Sequence, residues 1–140
     1  MEADLSPAEA VHTAIRMYRR LDDRDYKGIA ALMAPSGVWH RQGAALKGEA
    51  DILTAMSKRS PTLRIHHLLS NMFADIAADG TAIVTGYMLV VRYDSGSPVT
   101  GAAPFSGVEN IRTIRVKLTP TEDGWRILNA NSDPISFAAP

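Results

Sequence analysis

Apolar positions recur every three to four residues near the start of the chain and alternate over its later half, so the pattern predicts helices first and strands afterwards. Ser6 can cap a helix, Pro7 suits its first turn, and Glu9 sits where its side chain can reach back to complete a capping box. A helix is therefore expected from about Pro7 to about Asp23. Val11, Ile15 and Tyr18 fall on one stripe of it, while His12, Arg16, Arg19 and Arg20 lie largely elsewhere. The stripe then reaches Asp22, one turn beyond Tyr18. Asp25 can cap a short second helix, YKGIAALM, which Pro35 and Gly37 terminate together. A short apolar segment, VWHR, and a glycine-containing link lead to EADILTAMSKR, where Ile52, Leu53 and Met56 suit a third amphipathic helix.

From Pro61 onward the period changes. Residues 64 to 77 read as a strand, Ala78-Asp79-Gly80 as a turn, and TAIVTGYMLVVRY as a long partner. The segment from Asp94 to Phe105 is rich in Gly, Pro and Ser and reads as a mobile loop, expected to exclude water from a site. Residues 107 to 118 form a third long strand, TEDG a turn, and WRILNANS a fourth. The closing SDPISFAAP has no strong periodicity: it either packs over an opening or trails off, with residues 134–140 as a candidate flexible tail. Helices followed by an antiparallel meander describe an α+β domain, its helices covering one face of a curved sheet. If that sheet curls into a half-open cone, residues in its mouth line a pocket. The face opposite the helices is expected to carry Val90, Ile114 and Val116 as a subunit interface, which predicts a homodimer.

Composition narrows the function classes. A chain of 140 residues, 46% hydrophobic, supports one core, so residues 1–140 are read as a single domain. Fifteen basic and fifteen acidic side chains cancel, which argues against nucleic acid or an anionic membrane as partner. The absence of cysteine excludes disulfides and thiol chemistry. No basic segment followed by an apolar one opens the sequence, and no apolar run is long enough to span a bilayer, so a soluble cytoplasmic protein is expected.

The candidate chemistry centres on RIHHLLSN, where His66 and His67 must point to opposite strand faces. His67 shares its face with Ile65, Leu69, Asn71 and Phe73, and His66 shares one with Arg64, Leu68, Ser70 and Met72. Neither face is cleanly apolar, so periodicity does not choose between them. Asp22 on an apolar stripe must find a partner or bear a desolvation cost on the order of several kcal/mol, unless it marks the point where the stripe opens to solvent. No metal site is expected, because the two adjacent histidines diverge and neither His12 nor His40 completes a ligand triplet with them. No glycine-rich fingerprint predicts a nucleotide cofactor, so the expected cofactor is none. Tyr18, Trp39 and Tyr87 are candidates for an aromatic pocket lining with polar handles, or for the core. Asparagine is uncommon in strands, which singles out Asn71, Asn110, Asn129 and Asn131. Asn129 and Asn131 share a face with Ile127 and Trp125. Asn71, Asn110 and Asn129 are retained as substrate-binding candidates.

The strings YRRLDDRDYKGIAALMAP, HLLSN, DGTAIVTGY and DGWRI, in this order, resemble the SnoaL-like branch of the nuclear transport factor 2-like superfamily, over about residues 8 to 133. That resemblance implies a cone-shaped α+β barrel. The sequence is also similar to the scytalone dehydratase group of cofactor-free dehydratases, whose catalytic aspartate late in the first helix matches Asp22 in LDDRDY and whose strand histidine matches His67. Two positions depart from that group. The tyrosine before its aspartate is Leu21 here, and its second histidine has no match, the nearest position by counting from Gly86-Tyr87 holding Asp94. The resemblance thus implies a cofactor-free lyase or isomerase, with His67 moving a proton, Asp22 orienting it, and a small hydrophobic or aromatic, oxygen-bearing molecule as substrate. Two alternatives stay open: a non-catalytic binding protein for a small hydrophobic ligand, and an assembly subunit like the small subunit of ring-hydroxylating dioxygenases.

Overall fold

The computed structural model describes residues 2–140, and its first helix, α1 (Pro7–Asp22), begins where the cap predicts. The Ser6 hydroxyl accepts the Glu9 amide at 3.2 Å, but the capping box is only half made. Asp4 takes the Ser6 amide at 2.9 Å, and the Glu9 carboxylate turns to Arg16 at 2.7 Å. The buried face of α1 comprises Ala10, Thr13, Ala14, Met17, Tyr18 and Leu21, which rotates it away from the predicted stripe and leaves Ile15 exposed. Two alanines on that face let the helix lie close to the sheet, a role that large-residue periodicity does not register. Tyr18 stays on the buried face and Asp22 on its margin.

Asp25 caps α2 (Tyr26–Leu32) by accepting the Gly28 amide at 2.9 Å, and the chain then runs straight into β1 (Met33–Arg41). Next come β2 (Ala44–Lys47), α3 (Gly48–Met56), β3 (Arg64–Ile76), β4 (Ala82–Tyr93), β5 (Asn110–Thr121), β6 (Gly124–Ser132) and β7 (Phe137–Ala138). The sheet order is β2-β1-β6-β5-β4-β3, with β7 added beside β5. Among the described residues, only β1 and β6 pair in parallel. Pro35 and Gly37 do not terminate α2 as the sequence predicts: the helix has already ended at Leu32, and both residues lie inside β1 where its register to β6 shifts between Met33 and Val38. Proline has no amide for a ladder, and a Cβ on Gly37 would lie 2.5 Å from the Ile127 carbonyl oxygen.

The concave face of the sheet holds the core. Val84, Ile114, Val116, Leu118 and Ile127 are fully buried there with Met17, Leu21, Ile29 and Ile52 from the helices. This corrects the expected interface: Val90, Ile114 and Val116 face the helices and are buried. The outward face instead shows Leu68, Phe73 and Tyr87, which are 48%, 57% and 50% exposed.

Two bulges set which side chains reach the concave face. In β3 the register to β4 shifts between Ser70 and Phe73, and Asn71 adopts φ 54 while its amide oxygen accepts the Ser70 hydroxyl at 2.6 Å. Ile65, His67 and Leu69 are the more covered residues before the bulge, and Met72 and Ala74 after it. Met72 fills the space over Gly86 that a side chain there would need. In β6, Leu118 pairs with Ile127 but Lys117 with Asn129, so Leu128 is the extra residue. Asn129 and Asn131 therefore share a face with Lys117 and Arg115, and Ala130 joins Val116 in the core.

Residues 134–140 run back along the start of β5, where the Ser136 amide reaches the Ile111 carbonyl at 2.8 Å and the Ala139 amide the Glu109 carbonyl at 2.9 Å. The 94–105 segment is held at the base of β3 by Arg64, which donates to the carbonyls of Gly101 at 2.6 Å and Val99 at 3.0 Å. Among the described residues, no helix is long and apolar enough to cross a membrane.

Candidate functional site

Because β3 is an edge strand, amides along its free side need acceptors from outside the sheet. The end of α1 supplies one. Asp22 Oδ2 accepts the His67 backbone amide at 2.9 Å, and Asp22 Oδ1 lies 2.5 Å from His67 Nδ1. One carboxylate thus fixes both the strand position and the ring of His67. Their side chains are 10% and 6% exposed. An ionised carboxylate can only accept, so in the neutral ring Nδ1 carries the hydrogen and Nε2 keeps its lone pair. That arrangement suits a proton acceptor.

His67 stands in the wall of a cavity of about 580 Å³, between the sheet, α1 and the α3 segment, together with Tyr18, Trp39, Met88, Val90 and Asn110. The Tyr18 ring lies 5.9 Å from the imidazole, tilted by 47°. Burial pushes the Tyr18 phenol up to about 12, with Arg41 and Arg112 partly opposing the shift. It is a neutral hydroxyl near neutral pH, able to donate to a ligand oxygen. Asn110 lies across β4 from His67, since both pair with Val90. Its amide oxygen also receives Arg112 Nε at 3.4 Å.

The other candidates are not brought to this cavity. Tyr87 and Asn71 border a separate outward groove of about 440 Å³ with Phe73 and Thr113, because Tyr87 alternates with the buried Gly86 and Met88 and Asn71 forms the bulge. Asn129 meets His40 Nε2 at 3.1 Å after the β6 bulge turns it outward. Asp94 accepts the Thr62 hydroxyl at 2.6 Å, and hydrogen bonds from Ser60 and Thr62 hold its carboxyl below the usual range. The 94–105 segment does not border the His67 cavity either. Pro98 and Val99 instead flank Asp22 and His66 on the far side of β3. Among the described residues, no three His, Asp or Glu side chains converge as metal ligands would.

Sequence reasoning missed the cavity's arginines, Arg41, Arg59, Arg92 and Arg112. A signal for three of them was present. Arg41 lies two residues after Trp39, Arg92 two after Val90 and Arg112 two before Ile114, so each repeats the parity of a core position.

The profile described as a SnoaL-like domain matches residues 6–131. The structure is similar to that of ActVI-ORFA from Streptomyces coelicolor, with a TM-score of 0.73 at 20% identity, covering 92% of this chain and 96% of that one. It is also similar to an NTF2-like protein with a cystatin-like fold from Novosphingobium aromaticivorans, with a TM-score of 0.69 at 21% identity over 89% of this chain and 79% of that one. A protein described as a candidate scytalone dehydratase, from Novosphingobium aromaticivorans DSM 12444, gives 0.69 at 14% identity over 91% and 82%. At these identities the likeness establishes the fold, an NTF2-like α+β cone. In sequence, 107 residues are 30% identical to the 1,4-alpha-glucan branching enzyme GlgB of Thermobifida fusca (strain YX), a match over 74% of this chain. The match spans only 14% of that enzyme's length, so it marks a shared segment and brings no branching activity with it.

Proposed function

The chain belongs to the SnoaL-like domain family, and from the Asp22–His67 pair in its cavity wall we propose that it is a cofactor-independent lyase or isomerase of the polyketide-cyclase and dehydratase type. The substrate is a small cyclic or polyketide-like molecule carrying a carbonyl and a hydroxyl. His67 Nε2 takes a proton from the carbon beside the carbonyl, and Asp22 stabilises the imidazolium that forms. The electron pair left behind moves onto the carbonyl oxygen, and the Tyr18 hydroxyl and the guanidinium groups that line the cavity stabilise it. In a dehydration, the pair returns to form the carbon–carbon double bond, the hydroxyl leaves, and the His67 proton completes the water. In an isomerisation, that proton goes to a different carbon.

The observation behind this reading is the doubly bonded carboxylate of Asp22, which leaves one imidazole nitrogen unengaged at a cavity large enough for a bicyclic molecule. The open cavity favours ligand-binding readings over an assembly subunit filled by its own side chains. A panel of hydroxylated or unsaturated cyclic ketones and lactones, assayed with chelator present, tests for turnover. Replacing His67 with alanine is expected to lower kcat by about two to four orders of magnitude. Asp22→Asn should lower kcat more than it raises KM, and His66→Gln should change little. Turnover that survives the loss of His67, or that needs added metal, contradicts the mechanism. Tight binding of small apolar ligands without turnover replaces it with the binding-protein reading.

A further inference from the structure

The chain as a whole balances fifteen basic against fifteen acidic side chains, but the cavity does not share that balance. Its wall contains Arg41, Lys58, Arg59, Arg92 and Arg112 against a single acid, Glu109. None of the four arginines is in an ion pair among the described residues, the ion pairs lying instead at Arg16, Arg19, Arg115 and the two histidines His12 and His67. The strand register places two of them around the catalytic candidate. Arg92 pairs with Ile65, and Arg112 pairs with Met88 beside Leu69, so they flank the His67–Val90–Asn110 row on either side of it along the strands.

Arg41 and Arg59 are the more enclosed. Arg41 lies over the Trp39 ring at 5.4 Å, and burial and the nearby Arg59 charge lower its pKa. Arg59 Nη1 donates to the Leu21 carbonyl at 3.2 Å and to the Tyr26 hydroxyl at 3.1 Å. Its Nε and Nη2 are buried with no hydrogen-bond partner among the described residues. Those two nitrogens form one edge of the guanidinium, and their parallel N–H bonds match the two oxygens of a carboxylate. Desolvated donors of this kind are costly until an acceptor arrives.

Resting on the reading of this cavity as the substrate site, we propose that its ligand is an anion, a ring compound bearing a carboxylate that Arg59 and Arg41 hold while the ring lies against His67 and Tyr18. Binding turns the Arg59 guanidinium so that its Nε–Nη2 edge meets the carboxylate. Arg92 and Arg112 add charge from the sheet, and the apolar ring packs on Trp39, Met88 and Val90. The carboxylate thereby orients the substrate so that its reacting carbon faces Nε2.

Calorimetric titration of the whole chain with 2-naphthoate and with its uncharged counterpart 2-naphthamide tests the assignment without needing turnover. The carboxylate is expected to bind at least about tenfold tighter, and Arg59→Gln to remove most of that preference while leaving naphthamide within about threefold of its original affinity. Since Arg59 also ties α1 to Tyr26, Arg112→Gln and Arg41→Gln provide independent variants, each expected to weaken naphthoate selectively. Equal affinities, a preference that survives all three variants, or no naphthoate binding up to about 1 mM overturns the inference. Inorganic phosphate displacing naphthoate at similar concentrations overturns the carboxylate assignment in favour of a general anion site. A carboxylate preference without turnover of any substrate defeats the enzymatic reading alone, whereas turnover of neutral ketones with no carboxylate preference defeats this inference alone.

Discussion

Tyr18 shows how burial sets the behaviour of a side chain before any ligand is present. The phenol of Tyr18, raised to about 12, holds its proton more tightly in the folded protein than in the unfolded chain, where a tyrosine titrates near 10. Its contribution to stability is therefore complete below about pH 10 and is lost as the pH rises through about 12. Between those values the wild-type chain is expected to lose on the order of 2 kcal/mol that Tyr18→Phe does not lose, read as the change in unfolding midpoint with pH for the two proteins. Asp22 was legible as a carboxylate on a helix that otherwise turns apolar residues inward. The choice between His66 and His67 was not, because β3 carries apolar residues on both faces, and it came from resemblance. Among the arginines, Arg41, Arg92 and Arg112 shared the parity of core residues and were readable in principle. Arg59 lies past the end of α3 and before β3, where no periodicity marks the inward direction.

The helices and long strands followed from caps, turn residues and alternation, whereas the faces those strands present did not. A bulge adds one residue and exchanges the faces of everything after it, and two bulges moved Asn71, Phe73 and Asn129 away from the side that simple alternation assigns, while Asn131, exposed near the end of β6, still borders the His67 cavity. The β3 bulge had a local sign in Asn71 itself, since asparagine tolerates the left-handed backbone that φ 54 requires. Asn71→Gly is accordingly expected to leave stability within about 0.5 kcal/mol, while Asn71→Val, with a branched Cβ at positive φ, costs about 1–3 kcal/mol. Denaturant midpoints of the two variants check this. A valine variant as stable as the glycine variant would show that the bulge is not set by this residue.

Across the whole molecule, helices cover one face of the sheet and leave the other bare over β3 and β4. Leu68, Phe73 and Tyr87 stand out from that bare face with the half-buried Leu89 and Val91 beside them, and a second copy of the chain is the expected cover. Sedimentation is predicted to show a dimer, and a monomer across micromolar concentrations contradicts it. The fold was legible because element order and several local strings agreed. Its activity was not, since one cone can host catalysis, ligand storage or assembly. Catalysis of the proposed kind requires one ring to be in one state. In ¹⁵N-resolved spectra of histidine-labelled protein at about pH 8, His67 is predicted to appear as the neutral tautomer with its hydrogen on Nδ1, bonded to Asp22, and an unprotonated Nε2 that shifts when naphthoate enters the cavity. A hydrogen on Nε2 alone, or a ring doubly protonated at that pH, contradicts a proton-accepting His67 held by Asp22.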